Sequence, residues 1–373
     1  MKKFLLAIFI ILTFFPAFTY FVSCFTPYIS PVSFWPMAFL GLGFPYLAAC
    51  LILFIITWLF IKRKVAFFLL LLLFAGYKNL RATFGLNYTA HKKAISKNPN
   101  SLRIMTWNVR GFDNPSSFWD SPESVRRQMF DYIDQSQADV LCFQEFTEHF
   151  ANGVLSNTTE LVDIGYRYYY KTNELIYPFS TGVSISGTAI FSKVPLVDSG
   201  KTLLGDPSHP EHLAYVDLLF SQKKLRIFST HLKSLNLFVD TAYTPQVMTF
   251  HSDSNFVRKS SKFEKLKVFE QDHAREVVIA KAELNKSPYP VVFTADMNSV
   301  PAAYPYHIIT NGLQDAFVKK GFGLGGTMVD SLPKTLRIDL LLVDKRFDIK
   351  NYHLQNINLS DHFPQMVDLQ WKQ

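Results

Sequence analysis

Residues 290–299 read PVVFTADMNS, a short β-branched and aromatic run that closes on Asp296 and Asn298. A few consecutive apolar residues ended by turn-forming polar ones are the sequence form of a buried strand. The same arrangement recurs along the chain. Asn108 follows IMTW, Glu145 follows VLCFQ and His231 follows RIFST. Asp339 opens DLLLV, and Asp361 and His362 stand just before FPQMVDLQW. Strand ends are where a sheet scaffold presents chemistry. Singly, each residue has a plainer explanation: a strand-end Asn or Asp caps a turn, and an isolated His is a satisfied core or surface group. As a set they point elsewhere. Carboxylates select a hard cation such as Mg²⁺, and two histidines beside them supply proton transfer near neutral pH.

Further short β-like runs are GTAIFSK, AYVDLLF, KLRIFSTHL and RIDLLLVD, with AYVDLLF and KLRIFST joined only by Ser-Gln-Lys-Lys. Helical spacing appears over 124–137, where Val125, Met129, Tyr132 and Ile133 share a face, and over 262–285. Strands with interspersed helices imply a mixed α/β sandwich. The stretch 235–258, with Leu237, Phe238, Tyr243 and Phe250, reads as a long inserted loop, either a lid or a surface-packed segment without catalytic import.

In order, TWNVRGF, CFQE, GTAIFSK, STHL, TADMNS, RIDLLLVD and LSDHFP resemble the endonuclease/exonuclease/phosphatase superfamily over residues 102–371. The resemblance implies a four-layer α/β/β/α sandwich of the DNase I-like type and a metal-dependent phosphoric ester hydrolase using Mg²⁺ or Mn²⁺. It implies Glu145 as principal metal ligand, Asn108 beside it on metal or phosphate, and Asp361 completing the metal environment. It implies His362 as general base, Asp339 orienting that imidazole, Asp296 and Asn298 positioning nucleophile and phosphoryl oxygens, and His231 stabilising developing charge or protonating the leaving oxygen. Two departures stand out. The family's Gly-Asp-Phe-Asn is here Ala295-Asp296-Met297-Asn298, which loses a glycine where backbones approach. Arg110 occupies a place where base-excision nucleases of the superfamily carry an acid, and the STHL motif is similar to the DNase I and sphingomyelinase branches.

Composition divides the chain. Residues 1–100 hold no Asp or Glu but ten of the 38 Lys and Arg, which leaves 28 basic against 30 acidic residues beyond, a formal charge of −2. The overall +8 therefore belongs to the first segment, and the inference from a basic chain to a nucleic-acid partner does not carry over to the catalytic part. One cysteine, Cys142, lies beyond that segment, so it holds no internal disulfide. Residues 4–25 and 35–61 are uncharged and long enough to cross a bilayer, and 65–77 is a shorter third run that extends to 86 if it takes in Lys78 and Arg81. A second apolar run follows the first at once and no small-residue cleavage site stands out, which disfavours a signal peptide.

The expected organisation is two or three transmembrane helices over 1–86, a polar linker over 87–101 and a catalytic domain over 102–373. With three spans Lys2 and Lys3 face the cytoplasm and the catalytic domain faces away from it; with two spans all ten basic residues fall inside. The expected partners are the lipid bilayer and a phosphate-ester substrate, either lipid or membrane-associated. A nuclease is the alternative within the family, and an inactive binding module on the same scaffold is the alternative outside enzymes.

Overall fold

A computed structural model describes residues 2–88, 96–112, 125–151, 155–179, 182–205, 207, 210–234, 262–329 and 335–372. The expected inserted loop at 235–258 lies outside these, as does the middle of the expected linker.

Two sheets stack face to face. The first runs in the order Phe347–Leu354, Gln365–Trp371, Leu102–Asn108, Val140–Ala151, Gly182–Ser192 and Tyr168–Lys171, with Leu175–Phe179 also paired to Gly182–Ser192. The second runs Leu313–Asp315, Asp339–Asp344, Val291–Asp296, Lys223–His231, His212–Phe220 and Leu196–Leu203. Each sheet has one parallel pairing, Leu102–Asn108 with Val140–Ala151 in the first and Lys223–His231 with Val291–Asp296 in the second. The hairpin joining AYVDLLF to KLRIFST turns on Ser221 and Gln222, both at positive φ (49° and 63°), the backbone that a two-residue turn between twisted strands requires.

Period-two alternation makes the layers. Leu102 and Ile104 point into the space between the sheets, where they meet Ile227, Val292 and Leu341. Their neighbours Met105 and Trp107 point outward, onto Met129, Phe130 and Ile133 of the helix Val125–Gln135. On the other side Phe293, Leu340 and Leu342 face Val277, Ala280 and Leu284, a stripe at helical spacing on Lys262–Lys286. A slip of one residue in any strand would exchange a core face for an outer one, so the register is strongly specified. Helix, sheet, sheet and helix form the four layers expected from the sequence. Cys142 is buried between the sheets, and burial pushes its thiol up to about 12, which leaves it inert.

Residues 2–83 fold as a small helical bundle packed on this sandwich. Phe4–Ser23 and Met37–Ile61, of 20 and 25 residues, are long and apolar enough to cross a membrane. Their polar groups are satisfied inside the bundle: Trp58 Nε1 donates to Thr13 Oγ1 at 2.9 Å, and Tyr20 Oη donates to the Leu73 carbonyl at 2.8 Å. Large side chains such as Phe14, Phe15, Phe60 and Phe68 face outward. The third apolar run is not one continuous helix: Arg63–Ala75 is followed at Gly76 by a bend of 66° into Tyr77–Thr83, and the bent pair together is apolar enough to make a third crossing. Gly85 and Leu86, at the far end of that run, are extended and pair with Gly323 and Phe322 of the sandwich.

Contacts between bundle and sandwich are specific. Thr26 Oγ1 donates to the Ala302 carbonyl at 2.6 Å, Arg337 Nη2 donates to the Ala82 carbonyl at 2.7 Å, and Tyr46 and Thr335 share a hydroxyl hydrogen bond of 2.8 Å. A Cβ on Gly41 would stand 2.9 Å from the same Ala302 oxygen, so glycine is what lets helix and loop touch.

Candidate active site

The carboxy end of the second sheet delivers its residues by register alone. Asp296 pairs with His231 on one side and with Asp339 on the other, so three side chains stand in one row. The first sheet needs an irregularity. Asn108 pairs with Gln144, whose side chain points between the sheets to Ser229. In a regular strand Glu145 would then point away from that space. The register skips between Phe143 and Phe146, and Glu145 adopts φ 53°, which turns its carboxylate into the site. Asn298 also takes positive φ (46°), a conformation Asn tolerates, and its N–H donates to Asp296 Oδ1 at 3.0 Å. Two such backbones in one small site are the kind of local strain that clusters where geometry matters. The departure at Ala295 is absorbed: its methyl is buried in the outer core with Phe293 and Leu340.

Seven of the eight sequence-nominated residues converge. Asn108 Nδ2 donates to Glu145 Oε1 and to Asp296 Oδ2, both at 3.0 Å. His231 Nε2 and His362 Nε2 each lie 3.6 Å from that same Asp296 Oδ2. His231 Nε2 is also 3.7 Å from Glu145 Oε1 and accepts from Asn298 Nδ2 at 3.1 Å. Across the seam between the sheets, His362 Nδ1 and Asp339 Oδ2 are 2.9 Å apart. Asp361 stands at the edge: Ser360 Oγ donates to it at 3.1 Å, and Arg110 Nε lies 3.7 Å away.

Burial works against a charged His362, but the carboxylates of Asp339 and Asp296, with the Asp339 hydrogen bond, hold its pKa well above the ordinary imidazole range. These carboxylates favour a proton on the ring, and a divalent cation bound among them would relieve that pull and leave Nε2 able to accept one. The donors suit a hard divalent cation. Glu145 and Asp296 offer oxygens on either side of one amide nitrogen, and in such a site a carboxylate pair needs a cation or donors between its charges. Asp296, Asp339 and His362 also bring ligand atoms within 4.8 Å of one another. Asp339 and His362 are engaged with each other and Asp296 accepts hydrogen bonds on both oxygens, which leaves the more exposed Glu145 as the freest carboxylate.

Several supporting residues escape sequence reading. Trp107 Nε1 donates to the His362 carbonyl at 2.8 Å, and Ser360 Oγ donates to the Asn108 carbonyl at 2.8 Å, so TWN and SDH are tied together directly. Thr327 stitches the sheets: its Oγ1 accepts from the N–H groups of Ile338 and Asp339, and its carbonyl accepts from Phe363. Ser234 Oγ lies 3.0 Å from His231 Nε2. Behind His231, Glu276 Oε2 accepts from the Lys233 N–H at 3.3 Å, and burial pushes this carboxyl up to about 7. Trp107 and Ser360 lie inside the quoted motifs; Thr327, Ser234 and Glu276 lie in no motif and carry no sequence signal.

Comparison with known proteins bears on the fold and the family. Residues 2–83 match a family described only as a domain of unknown function. No curated protein matches the chain. Among solved structures, a Bacteroides thetaiotaomicron endonuclease/exonuclease/phosphatase family protein is 17% identical with TM-score 0.50, over 74% of this chain and 100% of its own. A Leptotrichia buccalis protein of the same family is 15% identical with TM-score 0.50, over 72% and 100%. The Bacteroides thetaiotaomicron mannosyl-6-phosphatase is 17% identical with TM-score 0.48, over 73% and 100%. Residues 105–362, with Asn108 near one end and His362 at the other, match the endonuclease/exonuclease/phosphatase family over more than half of the chain, and the chain belongs to that family.

Proposed function

We propose that this protein is a membrane-anchored, divalent-metal-dependent phosphoesterase that hydrolyses a phosphodiester or phosphomonoester on a lipid or another membrane-associated molecule. The observation that carries the hydrolytic reading is the meeting of both sheets at Asp296 Oδ2, with Asn108 at 3.0 Å and an imidazole nitrogen on each flank at 3.6 Å. Glu145 and Asp296, both oriented by the Asn108 Nδ2 group, would hold Mg²⁺ or Mn²⁺, which would supply charge neutralisation for the phosphoryl oxygens. His362 Nε2 takes the proton of the attacking water, while Asp339 fixes the ring through Nδ1 and stabilises its charged form. His231 and Asn298, bonded to each other, face the leaving oxygen and a phosphoryl oxygen. Asp361 assists from the rim through Arg110.

The membrane part of the reading rests on the bundle. Its outward face is apolar while its polar side chains bond within the bundle or to the sandwich, which is how a helical protein meets hydrocarbon. The loops that flank the site are the ones it grips: Ala302, six residues after Asp296, against Thr26, and Thr335, four before Asp339, against Tyr46. A substrate reaching Asp296 therefore approaches beside the anchor. Three crossings, with Lys2 and Lys3 inside, put the catalytic domain outside the cytoplasm.

The test is phosphate ester hydrolysis by the full chain in detergent with Mg²⁺, Mn²⁺ or EDTA, on parallel panels of phospholipids, DNA and a generic phosphodiester. EDTA-sensitive turnover that prefers lipids supports the reading. Efficient cleavage of DNA with lipids ignored makes the protein a nuclease, and a folded, metal-binding chain inert on every panel returns it to the binding-module alternative.

A further inference from the structure

A cleft of about 550 Å³ lies where the bundle meets the sandwich, well away from the active site. Tyr77, Lys78 and Arg81 of the short helix after the third apolar run form one wall, and Lys319, Lys345 and Lys372 of the sandwich face it. The sole acid in its lining, Asp315, is already neutralised: Arg337 Nη1 donates to it at 2.9 Å and Tyr306 Oη at 2.8 Å. Among the described residues none of the five cations forms a salt bridge, although Lys78 also lies 4.6 Å from the centroid of the Tyr28 ring. An adjoining hollow of about 510 Å³ shares Lys345 and Lys372 and adds Lys223 and Lys224. Lys319, Lys345 and Lys372 gather on a domain whose formal charge is −2, opposite Lys78 and Arg81 of the basic first segment, so the concentration is not an average property of the domain's surface.

We infer that this cleft binds the phosphate headgroup of an anionic phospholipid and so fixes the catalytic domain against the membrane surface. The inference rests on the reading of the bundle as membrane-spanning. Its position argues for lipid: Lys78 and Arg81 follow within six residues of Ala75, where the third apolar helix ends and the headgroup layer begins. The cleft is not the substrate site. Lys345 follows Asp344 at the far end of the strand Asp339–Asp344, roughly 20 Å along the chain from Asp339 at the usual rise per residue. A lipid held there would seat the domain without competing for Asp296.

The test uses the full chain in a neutral detergent, titrated with phosphatidylglycerol, phosphatidylcholine of the same chain length, inorganic phosphate or a DNA oligonucleotide. The readouts are thermal midpoint and lipid retained in native mass spectrometry. Phosphatidylglycerol should raise the midpoint and stay bound where phosphatidylcholine does not. The triple variant Lys319→Gln, Lys345→Gln, Lys372→Gln should lose roughly fivefold in apparent affinity per removed charge. The corresponding triple Arg variant should keep binding, and Lys62→Gln with Lys64→Gln, at the other end of the bundle, should leave it unchanged. An undiminished response in the triple Gln variant overturns the inference, as does equal stabilisation by inorganic phosphate or preferential displacement of the lipid by DNA. Flotation with alkaline-washed phosphatidylcholine vesicles reads membrane insertion independently, so failure of the anchor and failure of the cleft give different results.

Discussion

The two sheets bring their residues to one site by different means. In the second, His231, Asp296 and Asp339 stand abreast because neighbouring strands pair there, and no backbone distortion is involved. In the first, Asn108 and Glu145 come together only through a register skip and a glutamate at φ 53°, a conformation that costs about 1–3 kcal/mol. The row of three is a consequence of regular pleating, with only Asn298 just beyond it at positive φ, whereas the Asn108–Glu145 pair depends on a strained bulge within its strand. The site chemistry therefore concentrates where the halves are bonded to each other, at Asn108 with Asp296 and at His362 with Asp339.

The largest expected effect comes from cutting the second of those links. His362→Ala should lower phosphoester turnover about 10³-fold, the usual contribution of a positioned acid or base, with the fold unchanged by circular dichroism. Residual activity above a tenth of the parent's would mean that the cross-sheet pair is not the proton carrier.

The flank of the second sheet supplies a stability effect of nearly that size. Glu276 is buried with its carboxyl raised to about 7 from an ordinary 4.5, chiefly by desolvation. The folded state thus binds a proton that the unfolded state releases between these values. The cost of ionising Glu276 is absent below pH 4.5, grows through the interval and is complete above pH 7, at about 3 kcal/mol. Glu276→Gln should raise the thermal midpoint at pH 8 and leave it unchanged at pH 4.5. An equal gain at both values would assign the effect to packing instead. Smaller again, Asp339→Asn keeps a partner for His362 Nδ1 but removes the charge. A loss of about 10–100-fold in kcat with little change in KM is the expectation for an orienting partner.

What the sequence made legible follows the same division. Period-two apolar runs and their polar ends exposed the strands, the layers and the nominated residues, because the site gathers strand ends, the carboxy ends at Asn108, His231 and Asp296 and the amino end at Asp339. Helix spans read as 124–137 and 262–285 appear as Val125–Gln135 and Lys262–Lys286, with Ser124 outside the described residues. The bulge at Glu145 has no such periodic sign, since the skip is defined by how two distant strands pair. Thr327, which ties residues 338–339 to Phe363, is likewise invisible: it works through hydrogen bonds made only after both sheets are assembled. The bend at Gly76 is likewise hidden, because the run past it stays apolar enough to read as a continuation while the hydroxyl of Tyr20 fills the corner where a Cβ of Gly76 would lie.

The smallest effect asks whether the cross-sheet polar ties share one role. Gln144 lies one residue before Glu145 and points between the sheets, where its Nε2 donates to Thr106 Oγ1 at 3.2 Å and to Ser229 Oγ at 3.1 Å. Its Oε1 is buried without a hydrogen-bond partner, so the gain from two bonds is partly cancelled by one unsatisfied acceptor. Gln144→Met keeps the volume, removes both bonds and removes the orphaned oxygen. The two hydroxyls left behind can rotate toward other acceptors, as fixed amides cannot. The net cost should be about 1 kcal/mol, read as a fall of a few degrees in thermal midpoint with turnover within about twofold of the parent. If turnover instead falls as far as in Asp339→Asn while stability holds, the spacing of the sheets at Gln144 sets the Glu145 bulge. The strained half of the site would then depend on the interior between the sheets as much as on its own backbone.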